Sequence, residues 1–177
     1  MAGLAMYRFK PKLLPVLVLT PIALPEILTG VSLLLFFVML NLTLGLVSIM
    51  LSHIAFCVGF VAIVVRSRLA GMDESLPEAA RDLGATPWQA FRLVTLPLIM
   101  PGVIAGALMA FTLSIDDFVI SFFVAGVGSS TLPLQIYSMI KIAVTPEVNA
   151  ISTLLMLLTL LLIVVASKLS PGAFRTA

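Results

Sequence analysis

Three carboxylates interrupt otherwise apolar runs of this chain: Glu26, Asp116 and Asp117. A carboxylate held in hydrocarbon costs roughly 2.5–3.5 kcal/mol on insertion scales, so each needs a proton, a partner or water. No Lys or Arg lies within those runs, and the sequence therefore offers these acids no internal counter-ion. Two uses remain. The acids can line a water-filled cavity that receives a cation, or they can be structural, protonated or hydrogen-bonded to freed backbone. The Asp pair favours the cation pathway, with Ser114 two positions before it supplying a hydroxyl. Glu26 follows a proline and suits either use. Neighbours on a helix point about 100° apart, so Asp116 and Asp117 address different surroundings unless the helix unwinds there. His53 and Cys57 share an i, i+4 spacing in another run. A lone histidine on an apolar face is ordinarily a packing residue, and two ligands make a poor metal site. Neither is read as functional, and no metal is expected.

The elements that carry these residues are membrane helices. Of 177 residues, 61% are hydrophobic and 10% charged, against about 25% charged in a soluble domain. The net charge of +2 argues against nucleic acid as a partner and leaves lipid as the surrounding medium. The single cysteine excludes an intrachain disulfide. No cleavable signal peptide is evident in the first residues. Four runs are long enough to span, at about 20 residues each: residues 13–40, 46–65, 98–125 and 150–167. The first contains Pro15, Pro21 and Pro25, which remove backbone donors, and a break is expected near 21–25. The expected fold class is all-α, a polytopic helical membrane protein forming one transmembrane domain over 1–177. Counting along straight helices puts Glu26 about 20 Å and Asp116 about 27 Å into their spans. All three acids would then lie from mid-plane towards one leaflet, able to meet around one cavity. Between the third and fourth spans, 131–141 reads as a short amphipathic helix. In that connection Lys141 and Glu147 are solvated charges or points for docking a partner.

One polar interval, residues 73–101, separates the second and third spans. Ser75-Leu-Pro-Glu78 has the form of a capping box with Ser75 as N-cap. Gly84 stands where a helix C-cap wants positive φ. Thr86-Pro-Trp-Gln89 repeats the start signal. The spacing predicts two short helices, 76–83 and 87–95, joined at the glycine and ended by Leu96-Pro97. Trp88, on the second, is an interfacial anchor or a contact for a soluble partner. Nine of the ten basic residues fall in three regions: the N-terminal segment (Arg8, Lys10, Lys12), the second span's end with this interval (Arg66, Arg68, Arg81, Arg92), and the tail (Lys168, Arg175). Four spans put those regions on one side, and the positive-inside rule makes it cytoplasmic. Residues 126–149, with Lys141, are then outside.

Glu78-Ala79-Ala80, three residues, Gly84, nine residues, then Val94-Thr-Leu-Pro97 resembles the EAA loop of ABC-importer permeases, departing from it only by Val94 in place of isoleucine. The segments 52–57 (SHIAFC), 112–117 (TLSIDD), 137–141 (YSMIK) and 146–150 (PEVNA) are similar to the permeases of spermidine/putrescine importers, especially the second of their two membrane subunits. The resemblance covers nearly the whole chain. It implies a binding-protein-dependent, type I ABC-importer permease fold in a bacterial inner membrane. It also implies a sister permease forming a heterodimer, a cytoplasmic ATPase that binds the ATP, and a periplasmic polyamine-binding protein. Glu78, Ala79, Ala80 and Gly84, within a cytoplasmic coupling loop over 73–97, would carry ATPase coupling. Glu26, Ser114, Asp116 and Asp117 would line the substrate path, Glu26 standing where aspartate is expected. Such permeases have about six spans; four are found, which implies that the first two spans and the first outer loop are missing at the N-terminus. No G-x-x-x-x-G-K-[ST] loop occurs, so no cofactor is expected in this chain and ATP hydrolysis is left to another.

Within the transport class, iron, thiamine or another cation would also suit the acids. A rival reading makes Asp116-Asp117 the catalytic pair of an intramembrane hydrolase, but such chemistry needs carboxylates facing one another, which neighbours on one helix do poorly. A helix-turn-helix over 75–95 that binds DNA would have only Arg81 and Arg92 to offer phosphates.

Overall fold

The computed structural model describes residues 13–169 together with Gly3. Arg8, Lys10, Lys12 and Arg175, used in the orientation argument, lie outside the described residues. Every described regular element is helical: α1 (Leu13–Ala23), α2 (Glu26–Met39), α3 (Leu46–Ala70), α4 (Ser75–Asp82), α5 (Pro87–Ala90), a π-turn (Phe91–Thr95), α6 (Leu96–Asp116), α7 (Val119–Val124), α8 (Leu132–Ile140) and α9 (Pro146–Leu169).

Among the described residues three helices are long and apolar enough to cross a membrane: Leu46–Ala70, Pro87–Asp116 and Pro146–Lys168. The first apolar run is not one straight helix. α1 and α2 meet at 110°, with Pro25 extended between them at φ −57° and ψ 136°. Proline disfavours helical geometry in the residue before it, which ends α1 short of Pro25. The pair counts as a fourth span only if the two pieces are taken together. A depth for Glu26 counted along a straight helix from Leu13 therefore does not apply.

α6 is the central element. α3 and α9 both pack along it, while α1 lies on α3 and α2 on α7. α1 comes close to α3 at Gly59, where an added Cβ would stand 2.6 Å from the carbonyl oxygen of Val18. Phe37, Ile49, Phe56, Cys57, Ile120 and Val124 form a buried cluster shared by α2, α3 and α7. Elsewhere large apolar side chains face outwards, along α9 above all (Leu154, Met156, Leu157, Leu160, Leu161). An apolar exterior of that extent marks a lipid-facing surface, and the chain is an integral membrane protein.

The polar interval differs from its expected form in three ways. Ser75 is the first residue of α4 and not its N-cap. The side chain that satisfies an orphan donor is Asp73, whose Oδ1 accepts the Ser75 N–H at 2.9 Å. That bond holds the Asp73 carboxyl below its ordinary range. Glu74 stands at the N-cap position, and Asp73 makes this bond from one residue earlier. The second short helix is also no separate unit. α5 runs through the π-turn into α6, giving one helix of 30 residues from Pro87 to Asp116, about 45 Å long. Pro97 cannot donate, and the wider turn before it, closed by Leu96 N–H to Phe91 C=O, lets the helix continue. Thirdly, α6 stops at Asp116, so α7 is a distinct short helix and the third apolar run is not continuous to residue 125. The Thr86–Gln89 capping box is present in both directions, at 2.8 and 3.3 Å. Gly84 has φ +91° in a Schellman turn, with Ala85 N–H donating to Ala80 C=O and Gly84 N–H to Arg81 C=O.

Candidate functional site

The break between α6 and α7 places the two aspartates in different environments. Asp116 ends α6 and is exposed. It opens on a cavity of about 410 Å³ lined also by Phe118, Tyr137, Ser152, Leu155 and Thr159. Phe118 and Tyr137 pack with ring centroids 4.7 Å apart, and Phe122 meets Tyr137 edge-on at 6.4 Å. The ammonium of Lys141 already sits 4.7 Å from the Tyr137 centroid, so this ring presents a face that accepts a primary alkylammonium. The C-terminal, negative end of the α6 dipole is at the same place. Carboxylate, aromatic faces and helix terminus together favour a cation with an apolar body.

Asp117 does other work. Its side chain is 6% exposed and lines neither cavity. Oδ1 accepts the Ile120 N–H at 3.2 Å, and Oδ2 accepts both the N–H and the O–H of Ser121 at 2.8 Å. These bonds cap the first turn of α7. Oδ2 also lies 3.2 Å from His53 Nε2. The expectation that the intramembrane acids lack an internal partner is therefore corrected: His53, taken for a packing residue, supplies one. The partner is neither Lys nor Arg, and a contact spanning 64 residues leaves no trace in local spacing.

Ser114 faces the opposite way from Asp116. Its Oγ is 2.6 Å from His53 Nδ1, and it borders a second cavity of about 420 Å³ with His53, Ile115 and Thr131. The Thr131 hydroxyl oxygen is buried there without a hydrogen-bond partner. Glu26, the exposed first residue of α2, borders neither cavity. The four expected path residues are thus not gathered around one chamber. Asp116 has the first, Ser114 the second, Asp117 the hydrogen-bonded knot between, and Glu26 stands apart. Tyr137 and Phe118 join the candidate site. An aromatic residue in an apolar sequence is normally core, so only the fold reveals their setting. Cys57 donates weakly to the Ala110 C=O at 3.6 Å. Among the described residues no three His, Cys, Asp or Glu side chains converge as a metal site.

The residues expected to couple to an ATPase lie at the other end of the long helix. Glu78 and Ala79 are exposed, Ala80 is half-buried and Gly84 is exposed. No α4 side chain is buried. Leu76, Leu83, Trp88 and Leu93 add exposed apolar surface to the same region.

A family model described as "Binding-protein-dependent transport system inner membrane component" matches residues 1–172. The chain belongs to that family. Among curated relatives of this permease, the putrescine transport system permease protein PotI of Escherichia coli K12 is 47% identical over 146 residues, covering 79% of this chain and 52% of its own length. The spermidine/putrescine transport system permease protein PotC of the same organism is 50% identical over 145 residues, covering 82% and 54%. The PotC protein of Haemophilus influenzae is 44% identical, covering 82% and 57%. The permease chain thus spans about half the length of the curated relatives it matches. A chain of the MetNI methionine ABC transporter, solved in inward-facing conformations, superposes with a TM-score of 0.77 at 22% identity, over 98% of this chain and 85% of that one. The fold is accordingly that of a type I ABC-importer permease.

Proposed function

We propose that this chain forms the translocation path of an ATP-driven importer for polyamines, spermidine or putrescine, and couples it to a separate ATPase. The observation that carries the reading is the cavity at the end of α6, where exposed Asp116 stands beside the Tyr137 and Phe118 rings. A polyamine is a string of ammonium groups on an aliphatic chain. A carboxylate neutralises one end, an aromatic face takes an ammonium without stripping all its hydration, and the Leu155 wall receives methylenes. The high identity to permeases named for putrescine and spermidine supports the same substrate class.

In this reading α4 is the coupling helix, cytoplasmic by the distribution of basic residues, in a bacterial inner membrane. Glu78 and Ala79 face outwards to meet the ATPase. Ala80 lets α4 approach its neighbours, and Gly84 sets the angle between α4 and the long helix. A sister permease completes the path, a periplasmic polyamine-binding protein delivers substrate opposite α4, and ATP is bound by the ATPase and not by this chain. Closure of the ATPase displaces α4, the helices rock, and the cavity alternates its access. The separate surroundings of Asp116 and Asp117 count against aspartyl chemistry, and continuity of α5 with a membrane-length helix counts against the DNA-reading alternative.

The test is uptake of labelled spermidine and putrescine by proteoliposomes holding the chain with its sister permease, ATPase and binding protein. Saturable, ATP-dependent uptake that excess unlabelled polyamine suppresses supports the assignment. Uptake suppressed by ferric iron or thiamine and indifferent to polyamines refutes the polyamine reading while keeping a cation path.

A further inference from the structure

The bundle encloses one polar knot that cation binding at Asp116 does not itself use. His53 comes from α3, Ser114 from the last turn of α6, Asp117 from the break and Ser121 from α7. The His53 side chain is 11% exposed. Its Nδ1 lies 2.6 Å from Ser114 Oγ, and its Nε2 lies 3.2 Å from Asp117 Oδ2 and 3.1 Å from Ser121 Oγ. Ser121 donates its hydroxyl hydrogen to Asp117. With N–H on Nε2 the ring donates to Asp117, and Nδ1 accepts from Ser114. Each polar atom of the ring is satisfied, and the ring bridges three elements.

That bridge sits where the helix is interrupted. Asp117 is extended, with φ −67° and ψ 120°, and Phe118 has left the regular helix at φ −104°. Residues 114–118 form the wall between the two cavities. Ser114, Ile115 and His53 face one, and Asp116 and Phe118 the other. Asp117's bonds to Ile120 and Ser121 run forward into α7. Further along, α7 is held to α3 by the Ser48 hydroxyl donating to the Val124 C=O at 2.8 Å and by the shared apolar cluster, but at Ser114 and Asp117 themselves the side-chain tie to α3 is His53. Asp116 makes no hydrogen bond among those found in the structure, so its aim into the cavity is inherited from the backbone that Asp117 anchors.

We propose that His53 is a positioning residue for cation uptake: by holding Asp117 and Ser114 against α3 it fixes the α6–α7 corner so that Asp116 points into the aromatic cavity. This rests on the reading of Asp116 as the cation acceptor. His53 never touches the substrate.

The test uses the assembled transporter in proteoliposomes with labelled putrescine, and reads KM and kcat separately. His53→Ala raises KM about tenfold, the equivalent of about 1.4 kcal/mol, with kcat within about twofold. His53→Gln, whose amide reaches the place of Nε2, restores most of the affinity. His53→Asn, whose shorter amide does not reach Asp117, behaves as the alanine variant. In an Asp116→Asn background His53→Ala adds nothing further to KM, because the group it aims is gone. A merely structural role would multiply the two defects, and a multiplied defect overturns the proposal. So does equal KM for the Gln and Asn variants, a comparison that stands even if the alanine variant fails to assemble. An Asp116→Asn transporter with unchanged KM overturns the cation site itself and the proposal with it. An Asp116→Asn defect beside a normal His53→Ala overturns the role of His53 alone.

Discussion

Replacing each aspartate of the pair by asparagine separates the two environments. In Asp117→Asn the amide keeps one oxygen. If that oxygen takes the place of Oδ2, it still accepts from Ser121 and His53, but the NH2 group then faces the Ile120 N–H that Oδ1 accepted at 3.2 Å. A buried donor left without an acceptor costs about 1–3 kcal/mol, and the remaining bonds lose their charge assistance. A net loss of about 2 kcal/mol follows, which lowers Tm by roughly 4–8 °C for a domain of 150–250 residues. Asp116→Asn breaks no intramolecular hydrogen bond in the structure and lies at the surface, where substitutions stay within about 0.5 kcal/mol. Its Tm moves by no more than about 2 °C. A charge-assisted contact to an ammonium is worth about 1.5–3 kcal/mol, so its KM for polyamine rises roughly ten- to hundredfold. Thermal unfolding in detergent, followed by tryptophan fluorescence of Trp88 and by uptake in proteoliposomes, measures both quantities. The reasoning is refuted if Asp117→Asn unfolds at the unsubstituted temperature, or if Asp116→Asn takes up polyamine with unchanged KM.

Tyr137→Leu keeps bulk beside Asp116 but removes the ring that holds the Lys141 ammonium; loss of about 0.5–2 kcal/mol of cation–π attraction raises the uptake KM roughly two- to thirtyfold, and an unchanged KM removes the ring from the site. Gly84→Ala forces φ +91° on an L-residue at a cost of about 1–2 kcal/mol, so uptake per ATP hydrolysed falls while the Asp116 cavity is untouched, which parallel phosphate-release and uptake measurements report. Glu78→Lys reverses the charge on the exposed face of α4 and abolishes co-purification of the ATPase; full retention on an affinity column counts against α4 as the docking helix. The Asp73 carboxyl, held below its ordinary range by the Ser75 N–H, supports the start of α4 above the carboxylate pKa of the unfolded chain. That support is lost as pH falls through the lowered folded value, so Ser75 amide exchange, corrected for its intrinsic pH dependence, loses protection only in strong acid and in Asp73→Ala loses it at every pH.

What the sequence made legible was chemistry that acts locally. The Thr86–Gln89 capping box needs four residues, and the positive φ of Gly84 needs one; both are in the fold as read. The proline break near 21–25 is there too, although its 110° angle depends on where α2 packs against α7, beyond the reach of composition. Three expectations failed because longer-range terms decided them. Ser75 lies inside α4 and is not its cap, because Asp73 upstream accepts its N–H and the helix begins at Ser75 itself. The π-turn carried the helix past Pro97 because α3 and α9 pack along α6 on the far side of it. One of the three acids, Asp117, found His53 because α3 lies against the α6–α7 corner. The candidate site was legible only as a pair of acids. Which of the two is free to bind was fixed by a helix ending between them.

That ending also bears on how force could travel. The helix beginning at the Thr86 cap runs 30 residues to Asp116, so one element joins the proposed ATPase-docking end to the proposed cation end. A continuous helix transmits displacement along its axis, but a carboxylate in its middle would only be carried with it. Placing Asp116 on the last residue, beside two unwound residues, lets a small shift of the axis change the direction in which the carboxylate points. The corner then needs a reference besides α6 itself, and α3, joined to it through His53, supplies one. Swapping the π-turn for a regular turn, by deleting one residue between Phe91 and Thr95, would rotate the lower helix by about 100° relative to Asp116. If axis rotation sets the aim of Asp116, that deletion uncouples ATP hydrolysis from uptake even where Glu78 still holds the ATPase; coupled uptake at normal stoichiometry would show that the two ends communicate by another route.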